Sequence, residues 1–531
     1  MKRHSFITRL ASLAVVCGLT LAFVSCANDD LAQNGKTSTD DKGLTAFSTG
    51  EPATRTTMEA DGKFYWEAGD KIWVKDDSGN WKQSSNSPTG KTASFKFLMP
   101  GKYTAKSSYE VYYPGKNGNQ DKVKISDKQK QTEPNTTAHF GVSGDCGIAK
   151  ATRNATSHEF EFALDHKAAY LVFKPYTSND VLKYCYLTKI EVTSDNDIAS
   201  TYTLDPTADT GAGALTGTGN GKQIVLETKG SGSYANGFSL TNTSASLTTN
   251  GAYMVIKPGT HTLRIRYWVK DVATQIEGTI TKIIPSHTFA KNEYVNMEAD
   301  LQIKNYDGNH YYMWDAEKQY WEGYEWTKHL PGNTGQPTLD NNSSPNYPQS
   351  NSDVSRWFNE SYPGFKVSNP ATHTSCKDLP NVNEMSWYCM YGDPRWDGDE
   401  LWTTMGHLYK GGMWFKKKSV LQAENHYDTE KSADKTTDMR TKYKIYSNRN
   451  SSINNSGLPS AADANKYFYL PVLGSYYIGR LNNIGNECYY WSSSAYTGIS
   501  GYACYLFVGI DRVNVGYTNR VYGFRVEPSF Q

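Results

Sequence analysis

The stretch His166-Lys167-Ala168-Ala169-Tyr170-Leu171-Val172-Phe173-Lys174-Pro175 (HKAAYLVFKP, 166–175) decides the fold class. Its apolar run is continuous, too short for an ordinary globular helix, rich in aromatic and branched side chains, and closed by a proline. A run of that kind reads as a strand in the core of a β-sandwich. Strand-length segments bounded by turn residues lie on both sides of it. Upstream, residues 62–74 (GKFYWEAGDKIWV) read as a hairpin, and 94–98, 109–113 and 159–164 read as strands. Downstream, 186–193 (YLTKIEVT) alternates, and 200–204, 224–228, 252–257 and 263–269 repeat the pattern up to a closing segment at 289–301.

The composition supports this. The chain has 531 residues, with 38 Tyr, 13 Trp and 44 Gly against 11 Met and 11 His, a usage suited to strands and turns. Lys plus Arg is 55 and Asp plus Glu is 54, a formal charge of +1, which provides no global basic field for nucleic acid. Nine of the tryptophans lie beyond residue 306 (Trp314, Trp321, Trp326, Trp357, Trp387, Trp396, Trp402, Trp414 and Trp491), among Pro/Asn/Ser-rich loops. Helical patterning there is short, with 352–359 and 383–391 the better candidates. The expected organisation is mostly β: a signal at 1–25, a tether at 26–43, tandem sandwiches at 44–178 and 179–303, and an α+β region at 304–531.

The first residues carry an address. Lys2 and Arg3 precede an apolar run ending Ala22-Phe23-Val24-Ser25-Cys26, too short to remain as a membrane span. It resembles a bacterial lipoprotein signal, which implies acylation (palmitate included) of Cys26, with about 0.8 kcal/mol of anchoring per buried methylene. The expected location is the outer membrane and cell surface. Cys146, Cys185, Cys376, Cys389, Cys488 and Cys504 remain in three sequence-local pairs. They are candidates for disulfides in an oxidising compartment, with free buried thiols as the alternative.

Residues 44–300 resemble the fimbrillin superfamily, the lipoprotein pilins of type V pili. The resemblance rests on Thr54-Arg55-Thr56 ahead of Trp66-Glu67-Ala68-Gly69-Asp70-Lys71-Ile72, on the 160–174 segment with His166-Lys167-Ala168, and on Tyr186 to Thr193 followed by 198–204. It implies a lipoprotein precursor whose first strand, here 44–48, is removed by an Arg-specific protease at Arg55. It also implies partners: other pilin subunits, through a strand donated into the vacated groove.

Residues 304–531 resemble C-type-lectin-like domains of the major paralogous domain group. The matching pieces are Asn383 to Tyr388, Leu401-Trp402, Gly411 to Trp414, Tyr469-Leu470-Pro471, Tyr489 to Ser494 and Gly523 to Pro528. This implies a binding region for a surface glycan or protein. The related Glu-Pro-Asn triplet occurs only at 133–135, in the first sandwich, and reads as chance. Asp393, Asp397, Asp399 and Glu400 form an acidic turn, either hydrated or holding calcium, with hydrated the commoner outcome. His407 and His426 have no nucleophile in a recognisable arrangement, so neither an enzyme nor a cofactor nor a resident metal is expected. A formylglycine-generating-type enzyme using Cys488 and Cys504 finds no activating group.

Residues 492–526 lack Lys, Glu, Gln, Met and Trp and use residue types reachable by randomising Asn-type codons, as in some lectin-like adhesins; a plain β-rich terminus is the favoured explanation. Tyr496, Tyr502, Tyr505, Tyr517, Asn519 and Tyr522 are the expected ligand-binding face. With the closing segment 525–528 locked into that region, the chain reads as an accept-only subunit, a pilus tip adhesin. A stand-alone surface lipoprotein is the alternative.

Overall fold

The computed structural model describes residues 43–49, 57–58, 64–325, 343–360, 370–450, 453 and 457–527, and these are overwhelmingly strand. Four strands are antiparallel neighbours in the order 81–83, 73–75, 108–113 and 147–153, and the sheet continues through 160–162, 44–49 and 96–100. Tyr109, Val111 and Tyr113 alternate inward from Ser108–Tyr113 onto Trp66, Phe97, Phe160 and Phe162. The expected hairpin at 62–74 is replaced by one formed by Trp73–Lys75 and Trp81–Gln83. The reason is local: the Asp76 carboxylate accepts from the N–H groups of Ser78 and Asn80 at 3.0 and 2.9 Å, and Gly79 takes the left-handed conformation the turn needs. Trp66 instead bridges to Thr92.

Ala169–Tyr176, the strand read from 166–175, pairs antiparallel with Ala252–Ile256 and parallel with Tyr294–Asp300. It faces a larger sheet built on the long hairpin Gly259–Lys270 and Glu277–Phe289, with Tyr186–Ser194, Gln223–Glu227 and Lys128–Lys130 beyond. Leu171, Phe173, Ile190, Val192, Ile265 and Tyr267 fill the space between as one fully buried core. Strands on both sides of residue 178 contribute to it, because Lys122–Lys124 pairs with Thr201–Thr203 and Lys128–Lys130 with Val225–Glu227.

The large sheet continues past Glu277–Phe289 into Arg395–Thr404, His407–Lys416 and Tyr467–Pro471. A separate six-stranded sheet runs 311–312, 524–525, 487–495, 502–509, 512–519, 446–448. The helix Val382–Tyr391 is nucleated by a capping box, in which Asn381 accepts from the Asn383 and Glu384 N–H groups while Glu384 accepts from the Asn381 N–H. It packs on this sheet through Cys389, whose Sγ lies 3.4 Å from the Val513 carbonyl. Residues 352–359 are not helical. Asp353 accepts from both the Arg356 and Trp357 N–H groups and closes single turns that do not propagate.

Candidate functional site

Leu44–Thr49 lies inside its sheet, between Phe160–Phe162 and Lys96–Pro100. It runs parallel to Phe160–Phe162, with Phe47 opposite Phe160 and Thr49 opposite Phe162. Phe47 is 0% exposed, stacked on Phe160 at 4.8 Å and edge-on to Tyr103 at 5.2 Å. On the other side the Thr49 N–H donates to the Phe95 carbonyl at 3.2 Å, and the Phe95 N–H returns a 2.9 Å bond to Thr49 Oγ1. Ser48 donates to Glu159 at 2.6 Å. An interior strand of this kind satisfies backbone groups on two neighbours, and its loss would orphan them. Cys26 and Arg55, the residues expected from the sequence to carry lipid and to be cut, lie outside the described residues.

The tyrosines of 492–526 divide by register into two faces. Cys504 opposes Tyr517 and Tyr502 opposes Asn519, so these share the face that carries Leu506, Val513 and Val515. Tyr496 stacks on Tyr517 with centroids 3.7 Å apart, and Tyr502 lies 6.2 Å from Tyr517. Tyr443, which no sequence signal marked, completes the group edge-on to both Tyr496 and Tyr517 and donates its hydroxyl to the Val515 carbonyl at 2.9 Å. Hydrogen bonding to Tyr517, with burial adding, raises the Tyr496 phenol above its ordinary value. Tyr517 is exposed.

Tyr505 opposes Trp491 and Gly516 on the other face, where it packs with Tyr489 and Phe524. Tyr522 joins that second group through Phe524 at 5.3 Å and also stacks on Tyr477 at 4.5 Å. The structure therefore brings together Tyr496, Tyr502, Tyr517 and Asn519, and separates Tyr505 and Tyr522 from them.

Of the two readings of the cysteines, free thiols is the one observed. Cys146, Cys185, Cys376, Cys389, Cys488 and Cys504 are all free and buried, which corrects the disulfide expectation. Each behaves as a small core side chain, and burial pushes the Cys376, Cys389 and Cys488 thiols up to about 12.

The acidic turn holds protein groups. Asp397 forms a buried ion pair with Arg266 at 2.8 Å and accepts from Trp414 Nε1 at 3.0 Å. Asp399 meets Lys410, and Asp393 meets Arg395 and the Tyr467 hydroxyl. Glu400 accepts from the Thr281 N–H at 3.0 Å, Thr281 Oγ1 at 2.7 Å and Thr279 Oγ1 at 3.0 Å. Burial, with the Asp397 charge adding, raises its carboxyl above the ordinary value. The Asp397–Arg266 and Glu400–Thr279/Thr281 contacts fasten the 395–416 hairpin to the 259–289 hairpin. At Gly278 the approach is so close that a Cβ would lie 2.4 Å from the Asp399 carbonyl oxygen. Asn135, of the Glu-Pro-Asn triplet, accepts from the Tyr253 hydroxyl at 2.7 Å. No group of metal-binding side chains occurs among the described residues.

No protein-family model matches the chain, and no curated protein matches it. Among solved structures, a candidate cell adhesion protein from Bacteroides uniformis ATCC 8492 is similar at 17% identity over 49% of this chain and 93% of that one, with a TM-score of 0.28. The fimbrial anchor protein Mfa2 from Porphyromonas gingivalis is similar at 12% identity over 45% and 82%, with a TM-score of 0.22. A fimbrial protein from Bacteroides ovatus ATCC 8483 is similar at 10% identity over 91% and 99%, with a TM-score of 0.26. Likenesses this distant leave the functional reading to the chain's own residues.

Proposed function

We propose that the chain is a cell-surface pilus subunit that accepts a strand from a neighbouring subunit and binds a surface glycan or protein through residues 304–531, at the distal end of the fibre. The observation that carries the reading is the seat of Leu44–Thr49: an N-terminal strand in the interior of a sheet, with Phe47 fully buried, only a few residues ahead of Arg55. Cleavage after Arg55 would leave Phe160–Phe162 and Lys96–Pro100 without the strand between them. A strand from another molecule would relieve that state by β-augmentation. The precursor would reach the outer membrane through lipid on Cys26.

Two features support the accept-only role. Phe524–Arg525 lies between Tyr311–Tyr312 and Glu487–Ala495, with Arg525 only 1% exposed. The Val526 N–H also donates to the His310 carbonyl at 2.9 Å, so giving up this strand would open the sheet that carries the tyrosine face. Tyr443, Tyr496, Tyr502 and Tyr517 interlock and present phenolic contact area with little side-chain entropy to lose on binding. The test is N-terminal sequencing of this chain from sheared surface fibres, with antibody labelling of the fibres. The expected outcome is a start just after Arg55 and label at fibre ends; a start at Cys26, with label only on the cell body, would replace this role with that of a stand-alone lipoprotein.

A further inference from the structure

Ala252–Ile256 ends its three-stranded sheet, and its outer edge is closed by side chains where a strand could sit. The Val255 N–H donates to Gln129 Oε1 at 2.9 Å, and the Val255 carbonyl accepts from Gln129 Nε2 at 2.7 Å. The Tyr253 N–H donates to Gln131 Oε1 at 2.8 Å, and Gln131 Nε2 donates to the Gly251 carbonyl at 2.9 Å. The Tyr253 carbonyl is met by His139 Nε2 at 2.9 Å, which must carry the proton because a carbonyl only accepts. Every outward backbone group of Tyr253 and Val255 is therefore paired, and each glutamine amide supplies the donor and acceptor that a partner residue in a strand would supply.

Gln129 and Gln131 are 4% and 1% exposed, so these are core contacts. The backbone that carries them is fixed independently, because Lys128–Lys130 pairs with Val225–Glu227 on the opposite sheet. The covered strand, Ala252-Tyr253-Met254-Val255-Ile256, contains no charge, proline or glycine. A bare edge of that composition invites pairing with its own copy across a two-fold axis.

We propose that Gln129 and Gln131 are an edge guard, which holds the Ala252–Ile256 edge shut against the same edge of a second copy of this chain. One edge that would compete with the seat of Leu44–Thr49 for strand addition is thereby removed. This last clause rests on the proposed function; the guard itself does not.

The test uses the full, uncleaved chain. In Gln129→Leu/Gln131→Leu the Tyr253 and Val255 amides are expected to exchange at least about tenfold faster than in the wild type. Light scattering is expected to show concentration-dependent self-association that the wild type lacks. Wild-type exchange together with wild-type mass would overturn the guard. Should that variant fail to fold, Gln129→Glu/Gln131→Glu decides the matter, because a protonated carboxyl keeps a donor and an acceptor whereas a carboxylate only accepts. It is expected to match the wild type at acidic pH and to associate as the carboxyls ionise; a mass and exchange pattern independent of pH would overturn the guard. Separately, Arg-cleaved wild type that takes up no strand peptide would defeat the proposed function while leaving the guard in place.

Discussion

Phe47→Ala probes the strand seat from within. The side chain is 0% exposed and contacts Phe160 at 4.8 Å and Tyr103 at 5.2 Å. Truncating a buried phenylalanine costs about 3–5 kcal/mol, the lost transfer energy plus the cavity left behind. The upper half of that range applies here, because Phe160 and Tyr103 are each held edge-on to Tyr109 at 5.2 Å and are not free to relax into the space. A loss of about 4 kcal/mol is a large fraction of the roughly 5–15 kcal/mol that holds a domain folded. With a urea slope of about 2 kcal/mol/M, the midpoint for this region should fall by roughly 2 M with the slope unchanged. Thr45→Ala, at a half-buried position on the same strand, is the control and should cost no more than about 1 kcal/mol. If Phe47→Ala also cost less than that, the strand would not be seated as described and the reasoning from its removal would collapse.

On the tyrosine face, Tyr517→Ala should weaken attachment of the purified protein to its target surface about thirtyfold or more, while Tyr505→Ala on the opposite face should leave attachment unchanged; adhesion assays of both variants check this. Arg266→Met strands Asp397 in the interior and should cost about 3–5 kcal/mol by denaturant titration, and adding Asp397→Leu should recover most of it. Glu400 has its folded-state pKa raised above the ordinary 4.5, so it favours folding when protonated; its contribution is fully present below that value and is lost as pH rises toward neutrality. Glu400→Gln should flatten that part of the stability–pH curve, measured by denaturant midpoints across the range. The six buried thiols should resist alkylation in the native protein and react only on unfolding, with no mobility change between reducing and non-reducing gels.

Features settled by local chemistry were legible in the sequence. Ala169–Tyr176 announced itself by an apolar run that needs two covered faces, and Val382–Tyr391 by the short helical patterning at 383–391. The displaced hairpin at 73–83 was decided by which Asp-containing segment could fold into a side-chain-capped turn, a competition that alternation of residue types does not register. The tyrosine face was only partly readable. Tyrosine content marks the region, but the pairing of Cys504 with Tyr517 and of Tyr505 with Gly516 decides which rings look the same way. Tyr443 enters from a loop far away in sequence and leaves no local trace. The same holds for Gln129 and Gln131, whose spacing is that of any exposed strand face although both are core residues. The acidic turn read as a hydrated loop or a cation site, because the cation it meets, Arg266, lies on a strand more than a hundred residues earlier.

On the proposed function, the seat of Leu44–Thr49 is completed from outside once its own strand has gone. Hydrogen exchange at the Phe95, Phe160 and Phe162 amides checks this in the intact chain, after Arg-specific cleavage, and after addition of a strand peptide from a neighbouring pilin. Protection, then its loss, then its return is the expected sequence. Amides that stay protected after cleavage, with no peptide added, would contradict it.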